Sequence, residues 1–334
     1  MKEFLEETQI IDFNNKEVLA LAHELAKDCT TDEEIAKNCF IYVRDNIHHS
    51  GDFKDEITTY KASDVLKYKT GWCYAKSHLL AALLRANGIP TGFCYQRLSC
   101  SEYKKDIYCL HGLNTIYLKD FGWYKVDARG NKKGVNAQFT PPFEQLAFKL
   151  EKNEFDLAKI YSKPLDVVIE ALKKNKTYDE MINIFPDVEH FIGKAKTLDA
   201  LRLSVISKDL TKYIFEKEVP KWFEDELSQE SFEKRITSLE YEYFVYVMKD
   251  EIVGFIAIKD KTRLFHLFVD EKYHKKGIAK ELWNYIKENF DVSTMSVNSS
   301  IYAIKTYESF GFEISGEQNE HLGLKYQPMS YKIV

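Results

Sequence analysis

Chemistry on an acyl group asks for a nucleophile, a base that takes and returns its proton, and a group that orients the base. The chain offers one such set: Cys73 in GWCYAKSHLLAALLRANGIP, His111 in HGLNTIYL and Asp127 in WYKVDARG. Cys73 comes just before a run of helix formers, so its thiol is expected at a helix start. Unpaired backbone N–H groups there favour a thiolate and stabilise an oxyanion. A second set lies in RLFHLFVDEKYHKKGIAKELWNYI, where Lys276-Gly277-Ile278-Ala279 falls at a bend between an apolar strand and a helix. Small residues there let a phosphate approach N–H groups at the helix start, and Lys275 and Lys276 add positive charge. Each residue alone also has an ordinary reading: a packed thiol, a surface or capping histidine, a turn aspartate, a glycine in a simple turn.

The elements that must position these residues follow from periodicity. Helices are expected over 16–27 and 32–46, the second capped by Thr30, Thr31 or Asp32, with a short helical turn over 63–66. The helix that begins at Cys73 carries Leu79, Leu80, Leu83 and Ala86 and stops at Asn87-Gly88, with Pro90 beyond. The period then changes to that of strands, over 91–97, 109–118 and 122–127, with a hairpin turn at Lys119-Asp120. A helical cluster followed by an antiparallel sheet is an α+β pattern. A trailing wrap with a helix over 165–174 leads to a boundary near 186–189, giving domains 1–188 and 189–334. A second rhythm follows: a strand over 190–195, a helix over 198–205, and strands over 243–248, 252–258 and 263–269. A helix over 277–289, a strand over 292–298 and a helix over 301–310 complete it. Residues 215–239 show little pattern.

At 334 residues the chain exceeds what one core usually needs. Hydrophobic residues make up 45%, and the net charge of −5 gives no general case for nucleic acid. Runs of 18 apolar residues are absent, so no membrane span is expected, and the acidic start does not read as a signal peptide. A cytoplasmic protein is the expectation. The six cysteines, Cys29, Cys39, Cys73, Cys94, Cys100 and Cys109, form no CxxC pair, and most are read as buried thiols rather than disulfides.

The segments GWCYAKSHLLAALLRANGIPTGFCY, HGLNTIYL and GWYKVDARGN resemble the transglutaminase-like superfamily, with its papain-like Cys-His-Asp core, over residues 15–185. The resemblance implies that Cys73 is the nucleophile, His111 the general base and acid, and Asp127 the group that orients the imidazole. Gly112-Leu113-Asn114 departs from the small-then-aromatic pattern that often follows the histidine, a change expected to reshape the acyl-donor cleft. The zinc-binding CxxC pairs of the deglycosylating branch and an acidic calcium loop are both missing, so no metal is expected. Crosslinking, amide hydrolysis and peptide cleavage all occur in this superfamily, and some members are inactive. The class implied is acyl transfer or hydrolysis through a thioester.

Residues 190–334 resemble the GNAT acyltransferase superfamily, an α/β fold with a central mixed sheet. Its pyrophosphate loop, Q/R-x-x-G-x-G/A, maps onto His274-Lys275-Lys276-Gly277-Ile278-Ala279, with His274 in place of Gln or Arg. The resemblance implies acetyl-CoA, or another acyl-CoA, as cofactor. Leu267, Phe268 and Val269 would offer backbone to the pantetheine arm, and Asn298 would add a contact. Tyr307, in YESFGF, would protonate the departing thiolate. Where many relatives place a glutamate base, this strand offers His266; a polar group on an outer face and a water relay are the alternatives. The acceptor pocket would be formed by residues 215–239, where two readings stand: Trp222 and Phe223 simply pack the lid, or the acidic residues there attract a cationic amine. The partner expected is an amine-containing small molecule, peptide or protein. Two other readings stand beside a bifunctional enzyme. In one, only the acetyltransferase works and the N-terminal domain binds substrate or protein. In the other, both pockets are inactive and the chain is an interaction device.

Overall fold

The computed structural model describes residues 1–100, 107–151 and 153–331. The chain divides into two compact units, Met1–Val188 and Glu189–Val334.

The first unit opens with helices α1 (Lys16–Ala26), α2 (Asp32–Asn46), α3 (Ala62–Tyr68) and α4 (Cys73–Ala86). Thr31 caps α2 in a reciprocal box with Glu34, which satisfies donors that a helix start leaves open. Helix α4 is the centre of the unit: every residue from Cys73 to Arg85 is buried. A helix covered all round has no amphipathic stripe, which is why its polar Lys76, Ser77 and His78 also lie inside. Gly88, at φ +75°, ends it in the left-handed region. The sheet contains β1 (Thr91–Ser99), β2 (Tyr108–Leu118), β3 (Gly122–Val126) and the short β4 (Phe155–Asp156), in the order β3-β2-β1-β4, all antiparallel. Helices α5 (Asp166–Lys174) and α6 (Tyr178–Asn183) follow. The turn expected over 63–66 is a full helix, α3.

Burial pushes the thiols of Cys39 and Cys94 up to about 12, so these two are packed and inert at neutral pH. Cys100 and Cys109 depart from the expectation of thiols and are joined as a disulfide. The reason is register: β1 and β2 pair Leu98 with Cys109, and this brings the two cysteines together where the hairpin opens.

The second unit contains β5 (His190–Lys194), α7 (Ala200–Asp209), α8 (Lys221–Glu226), α9 (Gln229–Thr237), β6 (Tyr241–Met248), β7 (Glu251–Lys259) and β8 (Arg263–Val269). Then come α10 (Ile278–Asn289), β9 (Ser296–Ser300), α11 (Ile304–Ser309), β10 (Phe312–Ile314), β11 (Asn319–His321) and β12 (Leu324–Tyr331). The sheet order is β10-β12-β9-β8-β7-β6-β5, with β11 added on β12. One contact is parallel, β8 with β9 at Arg263 and Ser296, and the other pairings are antiparallel, so the sheet is mixed. The strand expected over 292–298 begins only at Ser296, because Met295 N–H closes a turn onto the Val292 carbonyl. The unpatterned stretch 215–239 contains α8 and α9, whose buried residues are too few to leave a stripe: α8 has none, and α9 has Phe232 and Arg235. Among the described residues no helix is long and apolar enough to cross a membrane.

Beyond Arg263 the strands part. β8 stays paired with β7 as far as Val269, while β9 follows β12. A register shift between Leu264 and His266 bulges β8 at Phe265, the kind of irregularity that bends a strand and re-aims its side chains. The parting opens a cleft in the middle of the sheet.

Candidate functional site

In the first unit, Cys73 is the first residue of α4, after a Trp72 cap that makes no side-chain capping bond. The N–H groups of that first turn are those a helix leaves unpaired. Strand β2 crosses this helix start so closely that Gly112 donates its N–H to Cys73 Sγ at 3.4 Å. A Cβ on Gly112 would lie 2.9 Å from Tyr74 Cδ1 and 3.1 Å from Tyr74 Cα. The departure noted at Gly112 therefore has a use: only a residue without a side chain lets β2 and α4 meet here.

His111, one residue earlier on β2, lies between Cys73 and Asp127. Its Nε2 is 2.7 Å from Asp127 Oδ2, and the Cys73 side chain is close enough to act on it electrostatically. Asp127, just past β3, is fully buried and accepts N–H groups from Arg129 at 3.1 Å and Ala147 at 3.2 Å. Burial would lower the His111 pKa, but the Asp127 carboxylate and the Cys73 side chain raise it instead. Burial likewise works against the Asp127 carboxylate, and His111 holds its pKa below the usual value. Cys73 and His111 thus share one pocket wall, with Asp127 buried behind His111 and ring contact from Phe148 at 5.0 Å to His111. The adjoining cavity is about 340 Å³ and includes His49, Trp72, Phe148, Arg129 and Glu154 in its wall. Two of these residues carry a buried ring nitrogen without a hydrogen-bond partner among the described residues, His49 Nδ1 and Trp72 Nε1.

Sequence reading passed over Lys76, one turn after Cys73. It is fully buried, and its Nζ donates to the carbonyls of Ile47 and, at 3.3 Å, Arg44, which end α2. Burial first, then Arg129, pull its pKa down to about 7, against the pull of Asp127, Asp45 and Asp52. Arg129 in turn grips Asp52 with two bonds of 2.9 Å. The signal available was a lysine inside a helix that is otherwise covered on all sides.

In the second unit, a cavity of about 450 Å³ runs from Leu267, Phe268 and Val269 past His274, Lys275, Gly277, Ile278 and Ala279 to Tyr307. Lys275 and Gly277 both have left-handed backbone, at φ +60° and +87°, and Gly277 caps α10 without any side-chain bond. A Cβ on Gly277 would meet nothing closer than 4.0 Å, so the loop is open on that side. Two of the expected residues have side chains engaged within the protein. His274 turns inward, its Nε2–H donating to the Val269 carbonyl at 2.7 Å, so it braces the loop. Lys276 lies over the Tyr273 ring at 4.7 Å and is not part of the cavity wall.

A second cavity, of about 420 Å³, lies across the same Leu267–Phe268 segment and shares Tyr307. Asn298 belongs to this one and not to the cavity at the loop. Burial raises the Tyr307 pKa, so its phenol keeps its proton. His266 also lines this second cavity; burial and Arg235 hold its pKa well below the usual value, and its Nδ1 is 3.1 Å from the Tyr243 hydroxyl. Tyr326, Arg263 and His321 complete a wall that the sequence did not point to.

Residues 19–128 match the transglutaminase-like superfamily, and residues 210–333 match the acetyltransferase (GNAT) domain. No curated protein matches the chain. Among solved structures, the chain is similar to a GCN5-related N-acetyltransferase from Rhodopseudomonas palustris, at 15% identity over 44% of this chain and 97% of that one, TM-score 0.39. It is similar to the PaiA N-acetyltransferase from Thermoplasma acidophilum, solved in complex with coenzyme A, at 16% identity over 44% of this chain and all 100% of that one, TM-score 0.36. A candidate cysteine protease from Cytophaga hutchinsonii matches at 20% identity over 38% of this chain, TM-score 0.30, and the match spans only 40% of that protein.

Proposed function

For a chain in which a transglutaminase-like superfamily domain is fused to a GNAT acetyltransferase domain, we propose an enzyme with two acyl-transfer sites. The first cleaves or exchanges amides through a thioester on Cys73. The second transfers acetyl from acetyl-CoA to an amine. The observation that carries the first reading is that Cys73 and His111 line one cavity, with Gly112 N–H donating to Cys73 Sγ at 3.4 Å and His111 Nε2 lying 2.7 Å from Asp127.

Because Nε2 of His111 faces Asp127, Nδ1 is the nitrogen left for the thiol. Cys73 Sγ attacks the acyl carbon while His111, whose raised pKa favours the imidazolium, holds the proton on Nδ1. The C–N bond then breaks, and His111 gives the proton to the leaving nitrogen. Water or a second amine attacks the thioester, gives its proton to His111, and Sγ leaves as the thiolate. Asp127 holds the imidazole in one tautomer and stabilises its charged form. The oxyanion is accommodated at the open first turn of α4.

The second reading rests on the fit of the cleft to a CoA thioester. The parted β8 backbone, the open loop at Gly277 and the uncapped start of α10 suit a phosphate-bearing arm. When bound, acetyl-CoA supplies the activated acyl group. Tyr307 stands where the two cavities share a wall and holds its Oη proton for the departing sulfur. Lys275 adds charge attraction to the loop.

One preparation of the full chain tests both readings. Calorimetry with acetyl-CoA is expected to give saturable binding, and its absence would remove the acetyltransferase. Iodoacetamide labelling, mapped by peptide mass spectrometry, is expected to modify Cys73 faster than free glutathione, with the advantage lost in His111→Ala. A Cys73 that reacts no faster than glutathione in either protein would remove the thiol enzyme.

A further inference from the structure

The cavity beside Tyr307 carries information about the amine in the composition of its walls. Trp222 and Phe223 come from α8, Phe265 from the bulge of β8, and Tyr326 from β12. These rings are held in place. Trp222 Nε1–H donates to the Leu322 carbonyl at 3.2 Å, between β11 and β12, and the ring meets His321 at 5.7 Å. Phe223 packs edge-on against Phe215 at 5.0 Å.

Charge in the wall is scarce. Among the described residues the cavity is lined by one carboxylate, Glu226, and one guanidinium, Arg263. Glu226 is already engaged, its Oε2 2.8 Å from Arg235 Nη1. Arg235 also donates through Nε to the Tyr243 hydroxyl at 3.1 Å, and that hydroxyl meets His266. The other acidic residues of α8, Glu224 and Asp225, are exposed, pair with Lys221, and are not part of the wall. An acceptor with several ammonium groups would meet a single carboxylate in this wall, itself paired with Arg235, and poorly matched charge is unfavourable. Flat apolar bodies meet the opposite situation, since aromatic walls give large contact area and favourable ring geometry.

We propose that the acceptor is an arylalkyl monoamine: one primary amine on a short chain carrying an aromatic body. The inference rests on the acetyltransferase reading of the same unit. The aromatic body lies among Trp222, Phe223, Phe265 and Tyr326, and the amine points toward Tyr307. The amine enters uncharged, and its nitrogen forms a bond to the acetyl carbon. The carbon–sulfur bond breaks, one amine proton passes to solvent, and the sulfur takes the Tyr307 proton, which solvent replaces.

The test uses the full-length chain with acetyl-CoA and four acceptors: 2-phenylethylamine, tryptamine, spermidine and kanamycin. Thioester loss is followed by absorbance, and acetyl-CoA binding alone by calorimetry. Arylalkylamines are expected to exceed spermidine and kanamycin at least tenfold in kcat/KM. Trp222→Ala is expected to raise KM for tryptamine at least tenfold with acetyl-CoA affinity unchanged. Phe265→Leu is expected to do the same if the first variant does not fold. Acetyl-CoA binding together with equal or better use of spermidine or kanamycin, or with no use of either arylalkylamine, overturns the acceptor class alone. No acetyl-CoA binding overturns the acetyltransferase reading and this inference with it.

Discussion

Replacing Gly112 with alanine tests whether close approach of β2 to α4 builds the thiol site. Gly112 does not sit in the left-handed backbone region, so the question is one of space alone. The added Cβ would lie 2.9 Å from Tyr74 Cδ1, 3.1 Å from Tyr74 Cα and 3.3 Å from Tyr74 N. Carbon atoms rest at about 3.5–4.0 Å, so the two elements must separate by roughly half an ångström. Tyr74 has little room to yield: it is buried, and its hydroxyl donates to the Leu110 carbonyl on the same strand. Overpacking of this kind costs about 1–3 kcal/mol. With a urea m-value near 2 kcal/mol per molar, the midpoint falls by about 0.5–1.5 M. Cys73 moves with Tyr74 and His111 with the strand, so the thiol and its base separate by a similar distance. A misplacement of about 1 Å costs about 10²-fold in rate, so roughly tenfold slower alkylation of Cys73 is expected. Gly134→Ala is the control, since a Cβ there meets nothing within 4 Å. Its left-handed φ of +83° costs about 1–2 kcal/mol but leaves Cys73 alone. A Gly112→Ala protein with the wild-type urea midpoint and the wild-type Cys73 alkylation rate would refute the proposed geometry.

Asp127→Asn is expected to lower the His111 pKa, read by NMR of the imidazole, and to slow Cys73 alkylation by about 10²–10⁴-fold; an unchanged His111 titration would show that the carboxylate does not set it. By linkage, the raised His111 value contributes stability that is complete below the ordinary histidine range and lost as pH rises through the folded value. The depressed Asp127 value contributes stability above the ordinary carboxylate range that is lost in acid. Lys76→Met inverts the first pattern. Because the folded Lys76 value is about 7, the unfolded chain binds more protons from there to about 10.5, so wild-type stability rises with pH relative to the variant by up to about 1.4 kcal/mol per pH unit; parallel urea midpoints from pH 7 to 10 would contradict a buried, uncharged lysine. Tyr307→Phe is expected to lower kcat for acetyl transfer by about 10²-fold while the acetyl-CoA Kd stays within a factor of two, and an unchanged kcat would remove Tyr307 as the proton donor.

Much of the fold was legible because local signals agreed with burial. The change from helical period to strand period after Pro90, the Asn87-Gly88 stop and the cap at Thr31 are written in neighbouring residues, and the structure follows them. The misses share a physical cause. α8 and α9 bury too little for periodicity to show, the 292–298 strand starts late because a turn closes at Met295, and the Cys100–Cys109 bond depends on a register that no spacing rule states.

Sequence alone determined which chemical groups are present and roughly which elements carry them. Cys73 belongs to a helix start, His111 to a strand, Asp127 to the end of the next, and Gly277 to a strand–helix bend, because helix and strand signals act over a few residues. Tertiary structure alone decided what those groups meet. It turned His274 toward the Val269 carbonyl, laid Lys276 over Tyr273, buried Lys76 behind the thiol and closed Gly112 onto Tyr74. Such contacts join residues far apart along the chain, and only close packing with its fixed register determines which of them share a wall.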